Sequence, residues 1–128
     1  MVTDISAGVL VSVQMHYEDD LSNPANRHFI YSYKIRLENK NEFPVQLLRR
    51  HWYIQDSLGY PREVEGEGVV GQQPHLLPGD SYEYESACNL ASDFGLMFGT
   101  YLFKNMVDGT LFQVQIPKFQ LFTPDRLN

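Results

Sequence analysis

Apolar and polar residues alternate with a period of two along most of this chain, and a helical period is nearly absent. Val9, Val11, Val13, Met15 and Tyr17 share one face of a first run, with Ser12, Gln14 and His16 on the other. The clearest run sets Phe29, Tyr31, Tyr33, Ile35 and Leu37 against His28, Ser32, Lys34, Arg36 and Glu38. Successive side chains of a strand point to opposite faces, so this pattern predicts half-buried antiparallel strands. A third run, Val45 to Gln55, places Leu48, Trp52 and Ile54 in phase, with Arg50 in that same phase. Either a bulge resets the register or Arg50 is partly buried beside Trp52.

Turn chemistry punctuates the rest. Asn23-Pro24, Asn39-Lys40-Asn41, Asp56-Ser57-Leu58-Gly59 and Pro78-Gly79-Asp80 all read as loops. A short run around Arg62 to Val64 leads into a glycine-rich stretch. Ser81 to Cys88 alternates again, with Tyr82, Tyr84, Ser86 and Cys88 on one side. A strand is expected from about Met97 to Val107 and another from Thr110 to Ile116. Asp108-Gly109 between them predicts a type I′ hairpin turn, whose two central residues need φ > 0. Pro117 is expected to break the ladder, leaving Phe119 and Leu121 as a short edge piece. About seven strands at this spacing predict an all-β chain, a sandwich or small barrel.

The 128 residues suit one domain over 1–128, with a core expected from about residue 9 to 124. Net charge is −6, which opposes a nucleic-acid or anionic-membrane partner, since either needs a basic face. The single cysteine, Cys88, cannot form an internal disulfide and, by its phase, packs in or near the core. The first residues lack a basic stretch followed by an apolar run, and no apolar stretch approaches the about 20 residues that span a bilayer. A cytoplasmic location is the default expectation.

Candidate chemistry is sparse. Gly66-Glu67-Gly68-Val69-Val70-Gly71 matches G-x-G-x-x-G, but no helix of useful length fits before Pro74 and Pro78. The plainer reading is a loop that needs glycine dihedrals. A weaker alternative is a nest of amides for an anion, with Arg62 or His75 nearby. At least one of Val69 and Val70 is a candidate exposed anchor; both plugging the sandwich is the competing reading. His16 and His28 would face each other in a hairpin of the first two runs, yet no metal-ligand spacing is present. Glu63, Glu65 and Glu67 read as a solvated face. Arg50, His51 and Trp52 form a dense aromatic and basic cluster, either a core tryptophan with a polar rim or an exposed hot spot. No nucleophile, base and orienting group assemble, so no enzyme activity and no cofactor are expected.

Longer stretches resemble the ApaG family, also called CorD: Val45-Gln46-Leu47-Leu48, Arg50-His51-Trp52, Glu63 through Pro74, Leu77-Pro78-Gly79, Tyr84-Glu85-Ser86, Gly95 to Gly99 with Tyr101, and Ile116-Pro117-Lys118-Phe119. Ala91-Ser92-Asp93 departs from the family's usual Thr-Pro. The resemblance implies a fibronectin type III-like or immunoglobulin-like sandwich of about seven strands. It also implies a link to cobalt tolerance and magnesium efflux. Similar domains in eukaryotic F-box and DNA-polymerase-interacting proteins imply a protein partner. The glycine pattern implies, as an alternative, weak binding of pyrophosphate, a nucleotide or a divalent cation. Fold kinship alone carries no function, and self-association is left open.

Overall fold

The computed structural model describes residues 1–127 and bears out the sandwich with nine strands instead of seven. They are β1 (Val2–Ser6), β2 (Val9–Tyr17), β3 (Phe29–Asn39), β4 (Val45–Asp56), β5 (Arg62–Glu67), β6 (His75–Leu76), β7 (Ser81–Leu90), β8 (Phe94–Asn105) and β9 (Leu111–Phe122). One sheet has the order β1-β2-β3-β7. The other runs β5-β4-β8-β9, with β6 also paired to β4. All pairings are antiparallel.

The alternating faces meet as expected. Val9, Val11 and Val13 of β2 and Tyr31, Tyr33, Ile35 and Leu37 of β3 are buried against Leu47, Trp52, Met97, Tyr101, Phe103 and Phe119 of the second sheet. Each such side chain contributes roughly 1.5–3 kcal/mol through burial. Tyr33, Trp52 and Phe119 pack edge-on and tilted, with centroids 5.4–6.0 Å apart. The buried hydroxyls of Tyr84 and Tyr101 bond to each other across the sandwich. Buried Asn39 closes one end: its Nδ2 donates to the carbonyls of Phe43 and Leu76, and its Oδ1 accepts from the Asn41 amide.

Two strand irregularities account for the pattern breaks. In β4 the register shifts between Leu47 and Arg49. Leu47 is fully buried, and after the shift Arg50, Trp52 and Ile54 take the inner face. Both readings of Arg50 therefore hold: a bulge resets the phase, and Arg50 is half-buried beside Trp52. Pro117 does not end its strand. The β8–β9 register shifts between Met97 and Gly99, where Ile116 and Phe119 are the partners, so Pro117 sits in a bulge of continuous edge strand β9. Edge strands and bulges are where a ladder tolerates a missing N–H.

The Asp108-Gly109 expectation is corrected. Gly109 alone has φ > 0 there, its amide donates to the Asn105 carbonyl, and five residues separate β8 from β9. Asp108 instead uses its carboxylate, accepting from the Thr110 amide and hydroxyl. The two-residue turn with both φ positive is Ala7-Gly8, joining β1 to β2. His16 and His28 do not face each other either: His16 pairs with Ser32, and His28 bridges to Asn23 in the loop.

The two long sides of the sandwich differ. On one, edge strands β1 and β9 meet, and the Gln115 amide donates to Ser6 Oγ at 2.8 Å. On the other, edge strands β5 and β7 leave a seam.

Candidate interaction surface

The glycine stretch solves a problem posed by the β4 bulge. β5 pairs with Arg49–Ile54 and β6 with Val45–Gln46, so the chain between them must return past Leu48 along one edge of β4. Gly68 N–H and Gln73 Nε2 both donate to the Leu48 carbonyl, at 2.8 and 2.9 Å. Val69 and Gln72 exchange two backbone hydrogen bonds around Val70-Gly71, both at positive φ (47° and 76°). That pair is a second type I′ turn, and a β-branched residue there is a genuine outlier. Val69 is fully buried, while Val70 is 62% exposed. Val70 is thus the exposed apolar tip, as the reading with at least one exposed valine has it. The competing reading, in which both valines plug the sandwich, does not hold, since only Val69 is buried.

Of the loop amides, those of Gly68, Val69 and Gln72 already bond to carbonyls. The two residues expected nearby, Arg62 and His75, are elsewhere. Exposed His75 lies in β6 opposite Gln46. Arg62 starts β5, four residues from Gly66, or about 13 Å along a strand. The cation at the loop is Arg50. Gly66 lies opposite it, and a Cβ on Gly66 would stand 2.8 Å from the guanidinium. Arg50 Nη1 donates to the carbonyls of Glu67 and Gly68 at 2.9 and 3.0 Å. The two clusters expected from sequence thus become one, except that His51 points to the outer face.

On that outer face Glu63 and Glu65 flank His51, at 3.2 Å from Nε2 and 2.8 Å from Nδ1. His51 stacks on Tyr53, Tyr53 stacks on Phe98, and the Lys118 ammonium lies 4.9 Å from the Phe98 ring centre. The acidic face expected for Glu63, Glu65 and Glu67 thus holds His51 between two of its carboxylates, and Glu67 lies 3.9 Å from Arg49.

A groove of about 260 Å³ runs along the seam, lined by Arg50, Trp52, Arg62, Val64, Cys88 and Asn89 among others. Arg62 crosses it: its Nη2 donates to the Asn89 carbonyl at 2.6 Å and to Cys88 Sγ at 3.3 Å. Among the described residues, neither Arg50 nor Arg62 has a carboxylate within 4 Å, whereas Arg36 and Arg49 do. The contribution of β7 was not legible, since Ser86, Cys88 and Asn89 reach the groove only through sheet order. Burial pushes the Cys88 thiol up from its usual range, and the Arg62 charge offsets this only partly. Such a thiol is a poor nucleophile. A larger hollow of about 730 Å³ between Glu18–Asp20 and Thr123–Asp125 is rimmed by five carboxylates and His16. Among the described residues, no group of three or more His, Cys, Asp or Glu is placed to hold a metal ion, and no helix is long and apolar enough to cross a membrane.

The class is thereby defined as an antiparallel two-sheet sandwich with one closed side and one arginine-lined open side. A family profile described as the ApaG domain matches residues 19–105. The chain belongs to the ApaG domain family. It is 45% identical over 124 residues to Protein ApaG of Paramagnetospirillum magneticum, covering 97% of this chain and 95% of that one. It is 41% identical over 126 residues to Protein ApaG of Brucella anthropi, covering 98% and 96%. A crystal structure of a Bordetella pertussis protein described as ApaA aligns with a TM-score of 0.86 at 38% identity, over 95% of both chains.

Proposed function

We propose that this chain is a non-enzymatic, cytoplasmic protein-interaction module whose contact surface is the β5–β7 seam with the adjoining Val70 turn. The supporting observation is the pairing of Arg50 and Arg62 in one groove without carboxylate partners, in a protein of net charge −6. Arg50 is half-buried, and a half-buried cation without counter-charge is costly to hold unless something supplies it; Arg62 is exposed and adds a second unpaired charge at the rim. Val70 adds an exposed apolar tip held in a rarely populated backbone region, the kind of strain that concentrates at functional positions. A role in cobalt or magnesium homeostasis would then run through the partner.

A second reading has the same two guanidiniums take pyrophosphate or a nucleotide phosphate, since both present donors to one groove. Affinity capture from the native host with wild type and Arg50→Glu tests the first reading. Specific partners held by wild type and lost by a folded Arg50→Glu support it. Calorimetric titration with pyrophosphate tests the second, and saturable binding lost in Arg50→Glu would favour it over the first.

A further inference from the structure

The free edge of β5 carries a strict chemical alternation. Three levels face the seam: Arg50 opposite Gly66, Trp52 opposite Val64, and Ile54 opposite Arg62. Read along the edge, they present a cation, an apolar patch and a cation, each level two residues from the next. Val64 is on this inner face yet 40% exposed, so the middle level is open. Between the levels, Glu63 and Glu65 face outward. Among the described residues β5 pairs with β4 alone, so its other edge has no strand beside it. The opposite lip of the seam is less available, because Arg62 already occupies the Asn89 carbonyl near the end of β7.

We propose that an extended segment of a partner protein adds to this edge as a new strand, with acidic, apolar and acidic side chains at alternate positions toward the seam and basic residues between them. The inference rests on the seam being the contact surface and names what it takes. Main-chain bonds to a sheet edge give affinity, and alternate side chains give specificity. Side chains at i and i+4 of a strand lie about 13 Å apart on one face, the interval between the Arg50 and Arg62 levels. Acidic residues at those positions supply the missing counter-charges, and the apolar residue between them covers Val64 over Trp52. Basic residues at the intervening positions meet Glu63 and Glu65.

A second copy of this chain does not fit. Antiparallel self-pairing centred on Val64 sets Glu63 against Glu65 and Arg62 at the level of the other copy's Arg50. Like charges directly opposite are destabilising, and edges carrying such charges resist self-association.

The probe is a capped heptapeptide, acetyl-Lys-Glu-Lys-Val-Lys-Glu-Lys-amide, against a peptide of identical composition with its phases exchanged, acetyl-Glu-Lys-Lys-Val-Lys-Lys-Glu-amide. Binding is followed by NMR of the amides of the whole protein. The expected result is saturable shifts centred on Glu63–Glu67, with affinity at least about ten-fold weaker for the exchanged peptide and for Arg62→Glu. N-methylating one alternate set of peptide amides should abolish binding and the other should not, since only one set faces a sheet edge. That peptide series needs no protein variant and stands even if Arg62→Glu misfolds. Equal binding of the two peptides, absence of binding, or shifts confined to β7 would overturn strand addition. Partner loss in Arg50→Glu would still stand on its own, so the seam could survive as the contact surface without this mode of contact.

Discussion

Arg50 lies opposite Gly66 on the inner face of the second sheet, and its guanidinium occupies the space a Gly66 side chain would need. Gly66 and Gly68 therefore do different jobs. An alanine Cβ at Gly66 meets the far end of a flexible side chain, which can swing away at the loss of its two bonds. At Gly68, with φ at +64°, the Cβ would stand 2.2 Å from the Gln72 backbone carbonyl oxygen. Gly66→Ala should cost about 1 kcal/mol and Gly68→Ala about 3 kcal/mol or more. Urea unfolding midpoints check this order, and the reverse order would mean that Arg50 is wedged in place.

The two valines of the turn should separate under the same charge. Val69→Asp puts a carboxylate into a fully buried site and should cost several kcal/mol. Val70→Asp should stay within about 0.5 kcal/mol. Val70→Gly should stabilise by about 0.5–1 kcal/mol, because the left-handed region costs glycine nothing. Thermal unfolding of the three variants checks the set, and a destabilised Val70→Gly would show that the valine side chain packs on something.

The strands were legible wherever one face is dry. β2, β3 and β7 alternate because alternate side chains are buried. β1 was not legible and lies before the expected core: Val2, Thr3, Asp4 and Ile5 are all exposed, so no burial imposes a period. β6 is two residues long and exists only as the partner of β4. The reset at Leu48 showed only as Arg50 in an apolar phase, and the one at Pro117 hid in the pattern, because one extra residue moves every later side chain to the other face. Asp-Gly misled because Asp108 satisfies its turn through its side chain, while Ala7-Gly8 gave no comparable signal. At the site, sequence supplied Arg50, Trp52 and the glycines as separate clusters. Only the register of β4 on β5 joins them, and only the sheet order brings Asn89 across the seam.

Alkali should weaken this fold, because its buried phenols and thiol resist ionisation. Burial raises the phenols of Tyr31, Tyr33, Tyr84 and Tyr101 and the thiol of Cys88. In the unfolded chain these groups titrate near about 10 and about 8.5. Above those values the unfolded chain releases protons that the folded chain retains, so stability falls as pH rises. Unfolding free energy should be level up to about pH 8 and decline between about 9 and 11. Native Cys88 should also label slowly with thiol reagents at pH 8 and rapidly in urea. A flat profile to pH 11, or fast native labelling, would contradict the burial assigned to these groups.

The interaction surface is tested most directly by hydrogen–deuterium exchange on the complex with a partner captured from the host. The seam predicts new protection confined to two segments distant in sequence, Arg62–Gly71 and Ser86–Asn89, with β1 and β2 unchanged. Protection centred on the acidic hollow, at His16–Asp20 and Thr123, with Arg62–Gly71 exchanging as in the free protein, would contradict it.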